Sequence, residues 1–360
     1  MNLEIKNILE KIEENGFEAY VVGGYVRDYL LGIDTVDVDI CTNALPKDVI
    51  TIFNIKKETI SYGSLTIKSD KYNFDITTYR KESNYENRRP SCIEYTNNLI
   101  TDIQRRDFTI NSLCMNKEGY IFDYLNGKED LNKKLIKVIG DTKEKLTEDP
   151  LRILRAIRFA ITLDFNLDNE ILNFISNNKE LVKNLSYTRK KEELDKILSS
   201  KKIIKGLKLI KELDLLWALE IDYDKIIEVP DLLGIWAQIN FSEKYPFTKN
   251  NLNIIKRIRN IINIGEINNY TLFKEGLYIS TVAGEILGYD KRALNEEYQN
   301  LVIKSTKDLK INNKDIIDIL NINPTFKIKI IYDDILKKVL NRKIDNDYNI
   351  IKKYIITNWK

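Results

Sequence analysis

Histidine is missing altogether from this chain. That one absence removes Ser-His-Asp and Cys-His triads, Cys/His zinc sites, His-ligated iron and imidazole general bases together. Any chemistry falls to carboxylates, Lys and Arg, Tyr, thiols or a bound metal. Cysteine is scarce as well: Cys41, Cys92 and Cys114 are an odd, scattered set, which argues against a disulfide framework and for a reducing compartment. With 6 Pro and 14 Gly in 360 residues, 43% apolar and 31% charged, neither a fibrous nor a disordered chain fits. No stretch approaches ~18 apolar residues. The opening MNLEIKNILEKIEENG is charged and amphipathic rather than leader-like, so a cytoplasmic protein without membrane association is expected. Charge of one sign is lacking too: 57 basic against 54 acidic residues give +3, too mild a balance to establish nucleic-acid binding without local clustering.

The length exceeds one ordinary hydrophobic core and predicts two or more domains. Leu3, Ile5, Ile8, Leu9 and Ile12 recur at helical spacing before Gly16, AYVVGG reads as a strand ending in two glycines, and Tyr25 to Leu31 turns helical until Gly32. VDVDIC alternates as a strand, PKDVITIF is a helix begun by Pro46, and SLTIK, FDITTY and IFDY are further strand candidates. The first 140 or so residues are therefore a mixed α and β domain, whereas the texture beyond Asp141 predicts helices to the end.

Asp37 and Asp39 sit two apart in an apolar strand, so both face one side with Cα atoms ~6.6 Å apart. Such a pair suits a clamp for Mg²⁺ ions about 4 Å apart, one activating a hydroxyl and one steadying a triphosphate. An isolated D-x-D more often just lines a solvated strand face. Upstream, Gly23 and Gly24 end a strand and precede a helix, where bare N–H groups can approach a phosphate, and Arg27 lies one turn inside. A lone glycine pair more often marks a tight turn. The informative feature is the composite GGYVRDYLLGIDTVDVDI.

This composite resembles the nucleotidyltransferase superfamily that includes DNA polymerase β, in the form used by class II CCA-adding tRNA nucleotidyltransferases and bacterial poly(A) polymerases. RRDFTINSL (105–113), IFDYLNGKEDLNKKLIKVIGD (121–141), EDPLRILRAIRF (148–159) and TRKKEELDKIL (188–198) resemble the family's following motifs in order and spacing. The resemblance covers roughly residues 17–200. It implies an α+β nucleotidyltransferase head, a small mixed sheet with helices over 1–140, followed by an all-α neck (141–200), body (201–272) and tRNA-binding tail (273–360). It further implies Asp37 and Asp39 as metal-binding catalytic carboxylates and Asp75 as a third carboxylate on a neighbouring strand, for which an ordinary exposed strand aspartate is an equal reading. Gly23, Gly24 and Arg27 become the nucleotide phosphate site, and Arg106, Asp107 and Asn111 further nucleotide contacts.

Asp149 followed by Pro150 has a plain explanation as a helix cap, and Arg152 three residues on as its surface ion-pair partner. Cytosine and adenine, however, both present an exocyclic amino donor beside a ring-nitrogen acceptor, which one Asp acceptor and one Arg donor would match, whereas uracil and guanine would not. The resemblance implies that role. Arg155 and Arg158 continue the stripe opposite Ile153, Leu154, Ile157 and Ile161 and match nucleotide-binding arginines, with a solvated basic face as the generic alternative. Residues 81–98, polar and without periodicity, read as a surface loop; in the family the corresponding segment, with an arginine pair before proline (here Arg88, Arg89 and Pro90), helps the switch from C to A. The function implied is Mg²⁺-dependent addition and repair of the tRNA 3′ CCA from CTP and ATP. A poly(A) polymerase shares the same motifs, and an inactive RNA-binding scaffold is the alternative outside enzymes.

Overall fold

A computed structural model describes residues 2–54, 60–61, 64–86 and 89–360. The chain folds as two compact units, Met1–Glu220 and Ile221–Lys360; the borders expected near 140, 200 and 272 fall inside them.

In the first unit, α1 (Leu3–Glu13) is capped by Asn2, whose side chain accepts from Glu4 N–H, and turns Ile5, Leu9 and Ile12 into the core. The strands β1 (Ala19–Val22), β2 (Asp37–Thr42), β3 (Ile60–Ser61), β4 (Ser64–Lys68) and β5 (Asn73–Thr78) join β8 (Cys114–Met115) and β9 (Ile121–Phe122) in one sheet of order β3-β4-β5-β2-β1-β8-β9. Only β2 and β5 run parallel; the other pairs are antiparallel. Strand alternation decides the two faces. Val38 and Ile40 enter the core with Val21, Phe74 and Ile76 beneath α1, α2 (Gly24–Leu31) and α3 (Pro46–Phe53), so Asp37 and Asp39 are turned to the opposite face. Part of that second face is closed by Leu99 and Ile103 of α4 (Leu99–Gln104), packed on Val22, Cys41, Tyr79 and Cys114. The carboxylate end is left open.

The segment expected as a loop departs from that expectation. β6 (Arg80–Glu86) and β7 (Arg89–Tyr95) form an antiparallel hairpin pairing Arg80 with Tyr95 and Glu86 with Arg89. Backbone pairing between facing strands supplied the regularity that side-chain patterning did not. Arg88 and Asn87 lie outside the described residues.

After α4 the chain turns through a 3₁₀ segment, Thr109–Asn111, against which α5 (Gly127–Asn132) lies so closely that a Cβ on Gly127 would fall 2.2 Å from the Thr109 carbonyl oxygen. Thr109 Oγ1 donates to Asp130 at 2.6 Å. Beyond it come α6 (Thr142–Glu148) and α7 (Leu151–Leu163), whose Ile153, Leu154, Ile157 and Ile161 are buried as the helical stripe demands. The remainder is helical apart from two short strand pairs, Leu135–Ile136 with Asn166–Leu167 and Ile221–Asp222 with Asn240–Phe241. In the second unit the long helices include Lys249–Ile264, Phe326–Leu340 and Asn269–Leu287, the last interrupted at Gly276 (φ 77°). Among the described residues no helix is long and apolar enough to cross a membrane.

Candidate active site

Register places the carboxylates. Asp39 lies opposite Asp75 across the parallel β2–β5 pair, and Asp37 opposite Asn73, so Asp37, Asp39 and Asp75 share one face. Two of them are tethered: Asp37 accepts from Asn73 Nδ2 at 2.9 Å and Asp75 from Thr66 Oγ1 at 2.5 Å. Asp39 is exposed on the strand surface, yet partial loss of water around it raises its proton affinity; Arg106 opposes this, while Asp75 and then Asp37 add to it. Among the described residues no group of three or more Asp, Glu, Cys or His side chains forms a complete cage for a metal ion.

The glycine turn after β1 explains its own composition. Gly23 holds φ +76°, a region L side chains avoid, and a Cβ there would lie 3.2 Å from Asp39 Oδ2 and 3.6 Å from an Arg106 terminal nitrogen. Glycine thus lets the start of α2 approach both a strand carboxylate and a guanidinium.

Arg27, one turn into α2, is only 7% exposed. Its terminal nitrogen donates to Asn111 Oδ1 at 2.7 Å, and its Nε to Asp28 at 2.8 Å. Asn111 Nδ2 in turn donates to Asp107 Oδ1 at 3.1 Å, and Asp107 Oδ2 accepts from Arg155 Nε and a terminal nitrogen at 2.8 and 2.5 Å. Burial opposes charge on Asp107, yet Arg155, Asn111 and the Phe108 N–H together hold it below the usual carboxylate range; Asp107 likewise raises the Arg155 pKa. The Phe159 ring lies 5.0 Å from the Arg27 guanidinium and 5.6 Å from that of Arg155. Asp107 and Asn111, assigned from resemblance to the nucleotide, therefore connect the two arginines to each other.

Asp149 closes α6 and stands one residue before the Pro150 N-cap of α7 rather than at it; its Oδ1 accepts from Leu151 N–H at 3.1 Å, which directs the carboxylate at the start of α7. The expected Arg152 pairing is different in detail. Arg152 is 6% exposed and donates to the carbonyls of Lys145 (3.0 Å) and Arg105 (3.5 Å), which bind α6 and the RRD segment to α7. Arg158 is directed elsewhere: its Nε donates to the buried Glu193 of helix Tyr187–Leu198 at 2.6 Å, with the guanidinium 4.1 Å from the Phe159 ring.

One cavity of about 450 Å³ collects these groups. Among the described nucleotide- and metal-site candidates, all line it except Asp37, Asp75 and Arg158. Arg80, Glu82, Arg105 and Phe159 also line it and were not singled out from sequence. Glu82 accepts from Arg80 Nε (2.7 Å) and Arg105 (3.0 Å), so the hairpin root forms part of the wall. The spacing R-x-E in the 80–82 segment was the one available signal. The cavity is rich in guanidinium with a few carboxylates, a composition suited to a polyanion.

Similarity to known proteins agrees with this geometry. The poly A polymerase head domain matches residues 19–137, the probable RNA and SrmB-binding site of polymerase A residues 164–222, and the putative tRNA nucleotidyltransferase domain 2 residues 244–355. The CCA-adding enzyme of Ligilactobacillus salivarius is 32% identical, over 96% of this chain and 93% of its own, and that of Lactobacillus johnsonii 33% identical, over 98% and 96%. The crystal structure of the Bacillus stearothermophilus CCA-adding enzyme in complex with CTP superposes with a TM-score of 0.80 at 25% identity, over 99% of this chain and 98% of that one. At 32–33% identity over nearly the whole length of both chains, this chain belongs to the CCA-adding enzyme family of nucleotidyltransferases.

Proposed function

We propose that the chain builds and repairs the 3′-terminal CCA of tRNA in the cytoplasm, transferring CMP and AMP from CTP and ATP with Mg²⁺ as its divalent ion. The supporting observation is the convergence of Asp39, Arg27, Arg106, Arg155, Asp149 and Arg152 on one cavity. Oxygen-only donors and the crowding that raises Asp39 suit a hard cation, and two carboxylates completed by substrate phosphates are a common Mg²⁺ arrangement. When bound between Asp37 and Asp39, such an ion supplies neutralisation of the triphosphate and a lower pKa for an attacking hydroxyl.

The chain's own residues then divide the work. Arg27 and Arg155, held in register through Asn111 and Asp107, offer a rigid pair of cations for phosphate oxygens, which limits the ordering needed when nucleotide arrives. Arg106 contributes a third. Asp149 accepts from the exocyclic amino group of cytosine or adenine while Arg152 donates to the adjoining ring nitrogen. Uracil and guanine place a carbonyl and a ring N–H there and leave like groups facing each other. Residues 1–140 act as the catalytic head, 141–200 as the neck carrying the base-reading pair, and 201–272 as the body. The 273–360 tail grips the tRNA.

Purified protein given Mg²⁺, CTP and ATP is expected to extend a tRNA ending at the discriminator base by C, C and A and then stop. Sequencing-gel resolution of the products separates the rivals. A long A ladder would mean polyadenylation, arrest after two C residues a CC-adding enzyme, and no extension an inactive scaffold.

A further inference from the structure

Asp102 takes no part in the roles assigned above, yet its carboxylate is fully buried beside the cavity. Burying a carboxylate is strongly unfavourable unless its oxygens are matched, and these are matched by donors from three places. Oδ1 accepts from the Arg80 backbone N–H at 3.2 Å and from Arg105 Nε at 2.8 Å; Oδ2 accepts from an Arg106 terminal nitrogen at 3.0 Å. Burial works against its ionisation, but Arg106 and Arg105 outweigh it and keep Asp102 charged. Arg105 is shared with Glu82, which leaves Arg106 as the guanidinium that Asp102 does not share with that carboxylate.

The geometry around Arg106 is what distinguishes Asp102. Arg106 Nε is buried and has no hydrogen-bond partner, while its other terminal nitrogen sits near the Gly23 turn, on the side of Asp39 Oδ2. The guanidinium is therefore held by Asp102 through one terminal nitrogen while the other faces the Gly23 turn, and Arg106 lines the cavity. We infer that Asp102 is a positioning residue for nucleotide binding: it fixes the Arg106 guanidinium toward the Gly23 turn and, through Arg105 and the Arg80 backbone, registers that guanidinium with the hairpin root. This rests on the nucleotidyl-transfer reading of the cavity.

The test is a double-mutant cycle of Asp102→Asn and Arg106→Met, with CTP affinity read by calorimetry, KM and kcat by CMP incorporation, and Tm for every variant. Asp102→Asn alone should weaken CTP binding and raise KM about tenfold, the scale of one charge-assisted bond, with kcat changing far less. In the Arg106→Met background the same substitution should leave CTP affinity nearly unchanged, because its intermediary is already gone. An equal loss in both backgrounds would overturn the inference and make Asp102 a structural anchor only. Should Asp102→Asn fail to fold, Asp102→Glu keeps the charge, displaces the carboxylate by one methylene and is judged by the same criterion. Failure of the broader reading looks different: the wild-type protein would bind CTP and leave tRNA unextended, whereas the binding cycle would still give its own answer.

Discussion

Asp107→Asn attacks the linkage between the two arginines with almost no change in volume. Asp107 Oδ2 receives two bonds from Arg155, and Oδ1 receives Asn111 Nδ2 and the Phe108 N–H. An asparagine has one acceptor for these two directions. If its oxygen faces Arg155, its NH₂ confronts Asn111 Nδ2 and the Phe108 N–H; if it faces Asn111, its NH₂ confronts Arg155. Turning the Asn111 amide to compensate would break the 2.7 Å bond from Arg27. The perturbation therefore reaches Arg27 from either side. Breaking a fully buried pair costs roughly 3–5 kcal/mol. Side-chain exposures of 33% for Arg155 and 11% for Asp107 call for a solvent discount, giving about 2 kcal/mol. For a unit of this size that is a fall in Tm of about 4–8 °C. The sign of the pH dependence follows from the lowered folded-state pKa of Asp107. Its contribution is complete above the unfolded value of about 3.9 and is lost as pH falls through the lower folded value. Thermal melts from pH 7 to pH 3 should show the gap between wild type and Asp107→Asn closing at the acid end, and nucleotide titrations at pH 7 should show both CTP and ATP weakened. A mutant with wild-type Tm and wild-type affinity, or a gap that widens toward low pH, would refute the reasoning.

Asp39→Asn should abolish nucleotide incorporation yet raise Tm in metal-free buffer at neutral pH, since it removes a carboxylate whose charge is disfavoured by partial loss of water and by Asp75 and Asp37; a lower Tm would contradict that electrostatic picture. Gly23→Ala should lose about 1–3 kcal/mol of stability to its positive φ, and the remaining transfer activity should fall further because the new methyl presses on Asp39 Oδ2; unchanged kinetics would show the turn to be a mere connector. Arg152→Ala is expected to erode discrimination against UTP and GTP by roughly 1–3 kcal/mol, measured by competition among all four nucleotides. Uniform weakening with selectivity intact would recast Arg152 as a phosphate ligand.

Much of this site is legible before any coordinates because its elements are local. The alternation of VDVDIC fixes which face Asp37 and Asp39 occupy, Gly23 is demanded by a positive φ, and Asp149 bonds to the Leu151 N–H two residues on. What sequence does not carry is the second partner of each charged group. Arg152 at three residues from Asp149 looks like its ion-pair partner, but the fold offers it two carbonyls, from α6 and the RRD segment, and an ion pair with Glu148 at 3.8 Å. Arg158 shares a stripe with Arg155, yet the helix 187–198 supplies Glu193 and draws it aside. Asp102, three and four residues before Arg105 and Arg106, reads as one more exposed helical ion pair until α4 is seen to bury it. The hairpin 80–95 was hidden for a different reason: cross-strand backbone pairing makes it, and that pairing needs no apolar period in the sequence.

On the proposed function, a single cavity with a single Asp149–Arg152 reader serves both nucleotides. Calorimetric titration of CTP into the wild-type protein, free and then saturated with ATP, tests it directly. One nucleotide should bind per chain, each should fully displace the other, and UTP or GTP should give no comparable heat. Simultaneous binding of CTP and ATP, or a CTP affinity indifferent to saturating ATP, would contradict it.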